Sequence, residues 1–328
     1  MSKPSRCLLP LLVVFLFYSL AGAADRVRVV YGSLVAGHMV MYAAKEFGLF
    51  QKYDLDTEIV GHIPGAKALV PLLSGDAQFI HAAGPPFILG TLGGADVVIF
   101  LSLAETLPYY LLVNRNITTA AQLKGKKLGV TTFGSSSDFS LRFAVRKLGL
   151  DPEKDVSILA IGDTAARSGA LSTGIIQGGA YTIGETILLK RMGYRVLLDM
   201  AAVGLEYQHT AVATTRAFIG RNRRIVLNYA KAIIDGVRQM KERKEDSLKI
   251  LAKYLRVSDR EYLEAQYQEN AHKLYSKKPY PTLAGVKTIL DSLAAKEPKA
   301  RQAKPEQFVD LSIVEELDRS GFIDGLYR

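Results

Sequence analysis

Ser74-Gly75-Asp76-Ala77-Gln78 stands about one hundred residues ahead of Thr173-Gly174-Ile175-Ile176-Gln177. In each stretch a small hydroxyl residue precedes a glycine suited to ending a helix, and a glutamine follows three residues on. Reading outward, the same marks recur in the same order. Tyr31-Gly32-Ser33 returns as Phe133-Gly134-Ser135, and Gly48-Leu49 returns as Gly149-Leu150. Gly84 and Gly93 return as Gly184 and Gly193. Helix-ending glycines occur in any α/β protein. An ordered series with matched neighbours at a nearly constant offset marks a chain built twice.

The pattern between these marks gives the fold class. Val27–Tyr31 reads as a strand. Val40, Ala43, Ala44 and Phe47 then fall at helical spacing, and Gly48 ends that helix. Thr57–Val60, Gln78–His81 and Val97–Leu103 read as further strands, with helices at Ala66–Leu73 and Phe87–Leu92 between them. Strands alternating with short helices imply βαβ units and a largely parallel sheet. The expectation is an α/β protein of two similar lobes joined by a two-strand hinge. Tyr109–Asn114 reads as the extended crossing into the second lobe, and Thr210–Thr215 as the crossing back. Lobe one is then 24–111 plus 213–328, and lobe two is 112–212. Beyond Thr215 the pattern is helical. Ile225, Tyr229, Ile233, Val237 and Met240 mark one apolar face, and helices follow around Ser247–Tyr254, Arg260–Leu274 and Thr282–Leu293. This added C-terminal segment is expected to pack on lobe one and cover its sheet.

Composition bounds the function. The 328 residues are 48% apolar and 23% charged, as in ordinary globular proteins. Lys3 and Arg6 precede an apolar run from Leu8 to Leu20, and Ala21-Gly22-Ala23 supplies small residues for cleavage. This reads as a secretory signal, 1–23, and implies a periplasmic protein. The run is too short for a membrane-spanning helix. The single cysteine, Cys7, lies inside that signal, so the mature chain is expected to carry no disulfide, thiol nucleophile or cysteine metal site. Loss of Lys3 and Arg6 leaves 40 basic against 32 acidic residues, a net charge of +8. The basic residues concentrate from Arg216 to Lys253, interleaved with apolar positions. That arrangement suits solvated helix faces better than a nucleic-acid groove.

In open parallel sheets, ligands lie beyond the carboxyl ends of the strands. The repeated Gly-Ser loops, Gly32–His38 and Thr131–Asp138, belong there, and each runs into a helix start with unpaired N–H groups. Candidate ligand contacts are Ser33 and His38 in the first loop, and Thr131, Thr132, Ser135 and Ser136 in the second. Ser135, with Asp138 three residues on, also reads as a helix cap. Gly84 and Pro85 open a helix in lobe one. Tyr181 to Glu185 open its counterpart, with Tyr181 a candidate to stack on a flat ligand. Glu185 is a candidate for a cationic or amide group, or an ordinary helix-start acid. His209 stands beside the return crossing. No phosphate-binding loop, nucleophile elbow or zinc helix occurs, and the five histidines are scattered. No catalytic residue, metal or cofactor is expected.

At this point a family resemblance becomes specific. Tyr42-Ala43-Ala44-Lys45-Glu46-Phe47-Gly48-Leu49-Phe50 with Leu55-Asp56, then Leu73-Ser74-Gly75-Asp76, resembles the sulfonate/nitrate/taurine-type periplasmic binding proteins. So do Gly94-Ala95-Asp96-Val97-Val98, Gly149-Leu150-Asp151-Pro152 and Ala170-Leu171-Ser172-Thr173-Gly174. Leu123-Lys124-Gly125-Lys126-Lys127-Leu128-Gly129-Val130 is the most specific match. The resemblance implies a type II periplasmic-binding fold with a Venus-flytrap cleft, a monomer, and delivery of a small solute to an ABC permease in the inner membrane. It implies ligands as varied as alkanesulfonates, taurine, nitrate, bicarbonate, aromatic acids and pyrimidines. Its cleft residues fall on Ser33, Gly84, Thr131–Ser136 and the neighbourhood of Tyr181. Gly184-Glu185-Thr186 departs from the acidic-Pro pattern of many members, so ligand identity does not carry over. A thiamine-pyrimidine synthase shares the superfamily, but it needs a cysteine-rich iron motif that the mature chain lacks. The readings left open are an anion receptor, a receptor for a pyrimidine or other heterocycle, and a ligand-binding partner of a signalling system.

Overall fold

Gly75 and Gly174 do the same work in two places. Each ends a helix with a positive φ, +85° and +77°, a conformation glycine adopts without a steric penalty. Gln78 donates from Nε2 to the Gly75 carbonyl at 2.9 Å and accepts the Arg28 N–H at 2.7 Å. Gln177 donates to the Gly174 carbonyl at 2.8 Å and accepts the Lys127 N–H at 3.0 Å. One glutamine per lobe thus ties a helix end to the first strand of its repeat, at Arg28 in the middle of one strand and at Lys127 at the start of the other. The repeat read in the sequence is a repeat of hydrogen bonds.

The computed structural model describes residues 24–32, 34–63 and 65–328. The expected leader and the candidate Ser33 lie outside the described residues. The strands are β1 (Asp25–Tyr31), β2 (Leu55–His62), β3 (Phe79–Ala82), β4 (Val98–Thr106), β5 (Tyr110–Val113), β6 (Lys127–Val130), β7 (Ser157–Ala160), β8 (Gly178–Tyr181), β9 (Arg195–Asp199) and β10 (Glu206–Thr214). They form two five-stranded sheets, in the orders β2-β1-β3-β10-β4 and β7-β6-β8-β5-β9. The helices of the repeat are α1 (Val40–Glu46), α2 (Leu49–Lys52), α3 (Leu69–Ser74), α4 (Gly84–Leu92), α5 (Ser136–Lys147), α6 (Thr164–Ser172) and α7 (Ile183–Arg191). After β10 come α8 (Arg216–Arg221), α9 (Arg223–Glu242), α10 (Lys244–Leu255), α11 (Arg260–Tyr267), α12 (Leu283–Leu293), α13 (Ser312–Arg319) and α14 (Phe322–Gly325).

In each sheet the three repeat strands run parallel, β1 beside β2 and β3, and β6 beside β7 and β8. The remaining strands are exchanged between chain halves. β5 runs antiparallel to β8 with Tyr110 opposite Tyr181, and β10 runs antiparallel to β3 and β4. The crossings differ from those read in the sequence. Tyr110–Val113 is already a strand of the second sheet, so the first passage lies at 107–109. Residues 210–214 sit inside β10, paired with Ala82 through Ile80 and with β4, so the second passage lies at 200–205. The Met200 N–H on the Tyr109 carbonyl, 3.0 Å, holds the two passages together. β10 therefore belongs to lobe one from Glu206, seven residues ahead of the expected return at 213. Its pairing partners are one hundred residues away or more, which no local pattern reveals.

Most of the expected face of α9 is buried. Tyr229, Ile233, Val237 and Met240 join β1, β4 and α1 in one apolar cluster together with Val226, while Ile225 is only partly buried at its edge. Burying each such side chain fully contributes roughly 1.5–3 kcal/mol. α12 packs on β10 and α4. α11 does something else: it packs on α7 of lobe two, so the added helices reach across the cleft as well as covering lobe one.

Candidate ligand site between the lobes

β6, β7 and β8 end side by side at Val130, Ala160 and Tyr181. Arg167, in the second turn of α6, lies across those ends. Asp163 caps α6 by accepting the Ala166 N–H at 2.9 Å, which fixes the turn that carries it. The residue is only 3% exposed. Its guanidinium donates to the Thr131 hydroxyl, to the Gly162 carbonyl at 3.4 Å and to the Thr164 hydroxyl at 3.3 Å. It stands over the Tyr181 ring, 5.4 Å from the centroid, and Nε has no partner among the described residues. All three acceptors are neutral. A guanidinium withdrawn from water without a carboxylate is costly, and its chemical complement is a planar or tetrahedral anion.

The serine loop supports this group. Thr131 Oγ1 also accepts from Ser137 at 3.1 Å, while the Thr131 N–H donates to Ser137 Oγ at 2.9 Å. With two donors on its oxygen, Thr131 keeps its own hydroxyl proton to donate. Ser135 is the cap that the sequence suggested: it accepts from the Asp138 N–H and donates to the Thr132 carbonyl at 2.7 Å. Thr132 is exposed. Ser136 faces the other lobe, its hydroxyl 3.3 Å from that of Tyr207 on β10, and Phe139 packs on the same tyrosine ring at 4.6 Å.

Lobe one contributes imidazoles and phenols. His209 on β10 is half-buried, with Nδ1 2.9 Å from Thr210 Oγ1 and its ring 5.5 Å from that of Tyr109. Burial, with His38 nearby, pushes its pKa down to about 3. His38 is buried, its ring 6.4 Å from Tyr31 and 6.5 Å from His81. His81 shares a 2.7 Å hydrogen bond with Tyr229, and burial drives its pKa far below the ordinary value. Tyr109 reports the charges around it: burial pushes its phenol up to about 12, against the pull of Arg167 and with the push of Glu185. Beside His209 a small cavity of about 30 Å³ is closed by 35–37, Pro108, Thr182 and Ile183, and by Gln266, Glu269 and Asn270 from the added helices.

Three sequence candidates sit elsewhere than expected. Tyr181 is fully buried in the lobe-two core with Leu171, Ile176 and Leu189, and the guanidinium covers its ring, so no face is left for a flat ligand. Glu185 closes a capping box, accepting the Thr182 N–H at 3.1 Å and the Thr182 hydroxyl. Gly84 is pressed against β10: a Cβ there would lie 2.5 Å from the Gln208 carbonyl. Its neighbour Pro85 lines a lateral groove of about 170 Å³ between α5 and α12. A larger hollow, about 640 Å³, lies over the far end of the first sheet, where Arg28 and Glu58 pair with each other at 2.8 Å. Arg167, Tyr109 and Glu269 were missed. For Arg167 the signal was present, since the repeat offset sets it opposite Lys67, after the second strand of each lobe.

Residues 35–247, more than half of the chain, match the sequence family described as NMT1/THI5 like. The chain belongs to that family. None of the curated proteins compared with it matches the chain by sequence. Solved structures that resemble it include the alkanesulfonate-binding protein SsuA of Xanthomonas axonopodis pv. citri bound to MOPS, 18% identical, covering 87% of this chain and 96% of that one at TM-score 0.70. The periplasmic aliphatic sulphonate binding protein SsuA of Escherichia coli is 22% identical, covering 85% and 92% at 0.70. The desulfurization enzyme DSZB is 13% identical, covering 90% and 100% at 0.68. These likenesses establish the periplasmic-binding fold expected from the sequence, and the family resemblance holds. A binding protein and an enzyme share that fold, so function rests on the site.

Proposed function

We propose that this chain is an exported, non-enzymatic receptor that closes its two lobes on a small organic or inorganic anion and delivers it to an ABC permease. The observation that carries this reading is Arg167, a buried guanidinium whose hydrogen-bond acceptors among the described residues are neutral oxygens at the carboxyl edge of the lobe-two sheet. Sulfonates and carboxylates present the paired oxygens that a guanidinium binds best. The sulfonate-binding names of the SsuA neighbours point the same way. The heterocycle reading relied on Tyr181 and Glu185, one buried in a core and the other engaged in a cap, and it loses its support. An imidazole with a pKa near 3 is a poor general base at neutral pH, which favours binding over catalysis. We read the chain as a periplasmic monomer with no role in nucleic-acid binding.

The test is thermal denaturation of the mature protein with a panel of alkanesulfonates, nitrate, bicarbonate and carboxylates. A ligand at one hundred times its Kd adds about 2.7 kcal/mol of stability. Arg167→Met is expected to abolish the shift without lowering the melting temperature of the free protein, because the buried charge leaves with the anion site. If no anion shifts the transition, or if Arg167→Met still responds, the reading fails.

A further inference from the structure

Neighbouring residues of a regular strand point to opposite faces of the sheet, so His209 and Thr210 of β10 would not be expected to meet. They do, with His209 Nδ1 2.9 Å from Thr210 Oγ1. The pairing of β10 with β4 is irregular at this point. Its register slips between Glu206 and Thr210, and again between Thr210 and Ala211. Such bulges re-aim side chains and are frequent beside functional sites. Here the irregular stretch brings a hydroxyl onto an imidazole at the wall of the small cavity, which both residues line together with Gly37 of lobe one and Thr182 of lobe two.

The contact decides which ring nitrogen carries the proton. Thr210 is 1% exposed, and His209 Nδ1 is the hydrogen-bond partner of its hydroxyl among the described residues. A buried hydroxyl proton needs an acceptor. Nδ1 is the one at hand, so Thr210 donates, Nδ1 accepts, and the proton of the neutral ring sits on Nε2. The reverse arrangement strands the hydroxyl proton. Nε2 has no partner among the described residues and is not sealed from solvent, whereas the spare Nδ1 of His81 is closed in the core. Burial, and then His38, push the pKa of His209 down to about 3, so the ring is uncharged at neutral pH. The groups around it supply no charge to alter that. Tyr109 and Tyr207 are phenols kept protonated by burial, and Glu269 of the added helices is paired with Lys273 at 3.0 Å.

We infer that Thr210 positions His209 as the Nε2–H tautomer, and that lobe one thereby meets the ligand's anionic end with a neutral donor while lobe two meets it with the Arg167 guanidinium. Tyr109 borders both groups: its ring is 5.5 Å from that of His209, and its phenol feels the Arg167 charge. The inference rests on the reading of the cleft as an anion site and names the residue pair that sets its charge balance. One cation, Arg167, and two uncharged donors, Thr131 and His209, match a monoanion whose oxygens carry no proton. Binding then takes up no proton, and its strength does not depend on acidification.

Nitrogen-15 spectra of the protein produced without its first 23 residues read the tautomer directly, with the His209 signals assigned by their loss in His209→Gln. Nε2 is expected to carry hydrogen, and Nδ1 none, in the wild type and in Thr210→Ser; Thr210→Val should lose that bias. Calorimetric titration with ethanesulfonate and nitrate, both ionised throughout the range used, reads the donor. His209→Gln sets an amide N–H near the place of Nε2 and should bind at least one probe within about threefold of the wild type, whereas His209→Asn, whose amide reaches only the place of Nδ1, should weaken binding roughly tenfold or more. Wild-type affinity should change by less than about twofold between about pH 8 and pH 5.5. The inference is overturned, with the anion reading intact, if Nδ1 carries the hydrogen or if the Gln and Asn variants behave alike. It is also overturned if affinity rises roughly tenfold towards pH 5.5 and the rise disappears in His209→Gln, the mark of an imidazolium. If neither probe nor the wider anion panel binds, the anion reading falls and takes the inference with it.

Discussion

Gly184 is where closure is tightest. It is the second residue of α7, and a Cβ built there would lie 2.1 Å from Gln266 Nε2 and 2.6 Å from two ring atoms of Tyr262, both on α11 of the opposite lobe. Ordinary contacts lie near 3.5–4.0 Å, so Gly184→Ala demands roughly 1 Å of separation. Gln266 is a flexible end, but it already donates to Tyr262 Oη at 3.0 Å, and the Tyr262 ring is buried. Within lobe two the same substitution is benign, because Gly184 has an ordinary helical φ and alanine is favoured there by about 1 kcal/mol. Overpacking of a fitted contact costs about 1–3 kcal/mol, here borne only by the closed arrangement. The expected result is a Kd raised roughly 5- to 150-fold with no fall in melting temperature. A ligand-free readout comes from spin labels at Lys154→Cys and Lys249→Cys, exposed positions on the two lobes (side chains 83% and 78% exposed). The only native cysteine is Cys7, so the labels report cleanly in protein produced without the first 23 residues. The alanine variant should shift the distance distribution to longer values. An unchanged distribution together with an unchanged Kd would refute the assignment of this seam to closure.

The other predictions follow from neighbouring features. Arg191, at the end of α7, pairs with Asp259 and Glu261 across the same seam; Arg191→Gln should weaken ligand binding a few-fold at low salt and lose that effect near 1 M salt, where exposed charges are screened, and a salt-independent defect would count against an electrostatic latch. His81 and His209 are held neutral in the folded protein, while the unfolded chain protonates them near pH 6.5. Stability should therefore be flat above that pH and fall below it by at most roughly 1.4 kcal/mol per pH unit for each imidazole, down to about pH 3 for His209; His209→Asn should flatten the denaturation-versus-pH curve, and an identical curve would argue against a buried neutral ring. Gly75→Ala and Gly174→Ala meet open space but positive φ, so each should cost about 1–2 kcal/mol in chemical denaturation, and clearly unequal losses would break the equivalence of the two turns.

The repeat was legible because each copy needs the same punctuation: a glycine where the helix turns back, a glutamine to tie that turn to a strand, and a Gly-Ser loop at the strand's carboxyl end. Those requirements are local, and local requirements leave residues at fixed spacing. The lobe boundary was not legible, because β10 looks the same as any extended crossing until it is seen wedged between β3 and β4. Tyr181 misled for a related reason. All four residues of β8 are buried, since helices cover both faces of a parallel sheet, and the pattern does not say which side chains face the lobe core. Glu185 was readable both ways, and the capping box settled it. Glu269 was hidden more deeply: it lies on a π-helical turn, Gln268–Leu274, that continues α11 and has no sequence mark of its own, and there the residue is buried.

The division of labour in the cleft follows the division of the chain. Inside the repeat, α6 carries Arg167, the proposed anion group, and the Thr131–Asp138 loop at the carboxyl edge of the lobe-two sheet supplies its hydroxyl support. The helices after β10 lie outside the repeat, and they supply the lobe-one side of both seams: α11 against α7 on one flank, and α12 beside Tyr207 and the α5 loop on the other. The flanks are unequal. The α7–α11 flank is close-packed and carries charges of opposite sign, whereas the α5–α12 flank keeps a groove of about 170 Å³ bridged chiefly by the Ser136–Tyr207–Phe139 contact. A hinge that closes hard on one flank and loosely on the other turns the lobes as well as approximating them. On the proposed reading of the cleft as the solute site, a ligand is expected to enter from the loose flank and its residence to be set by the tight one. Changes at Gly184 and Arg191 should then act on dissociation, and changes at Phe139 on association.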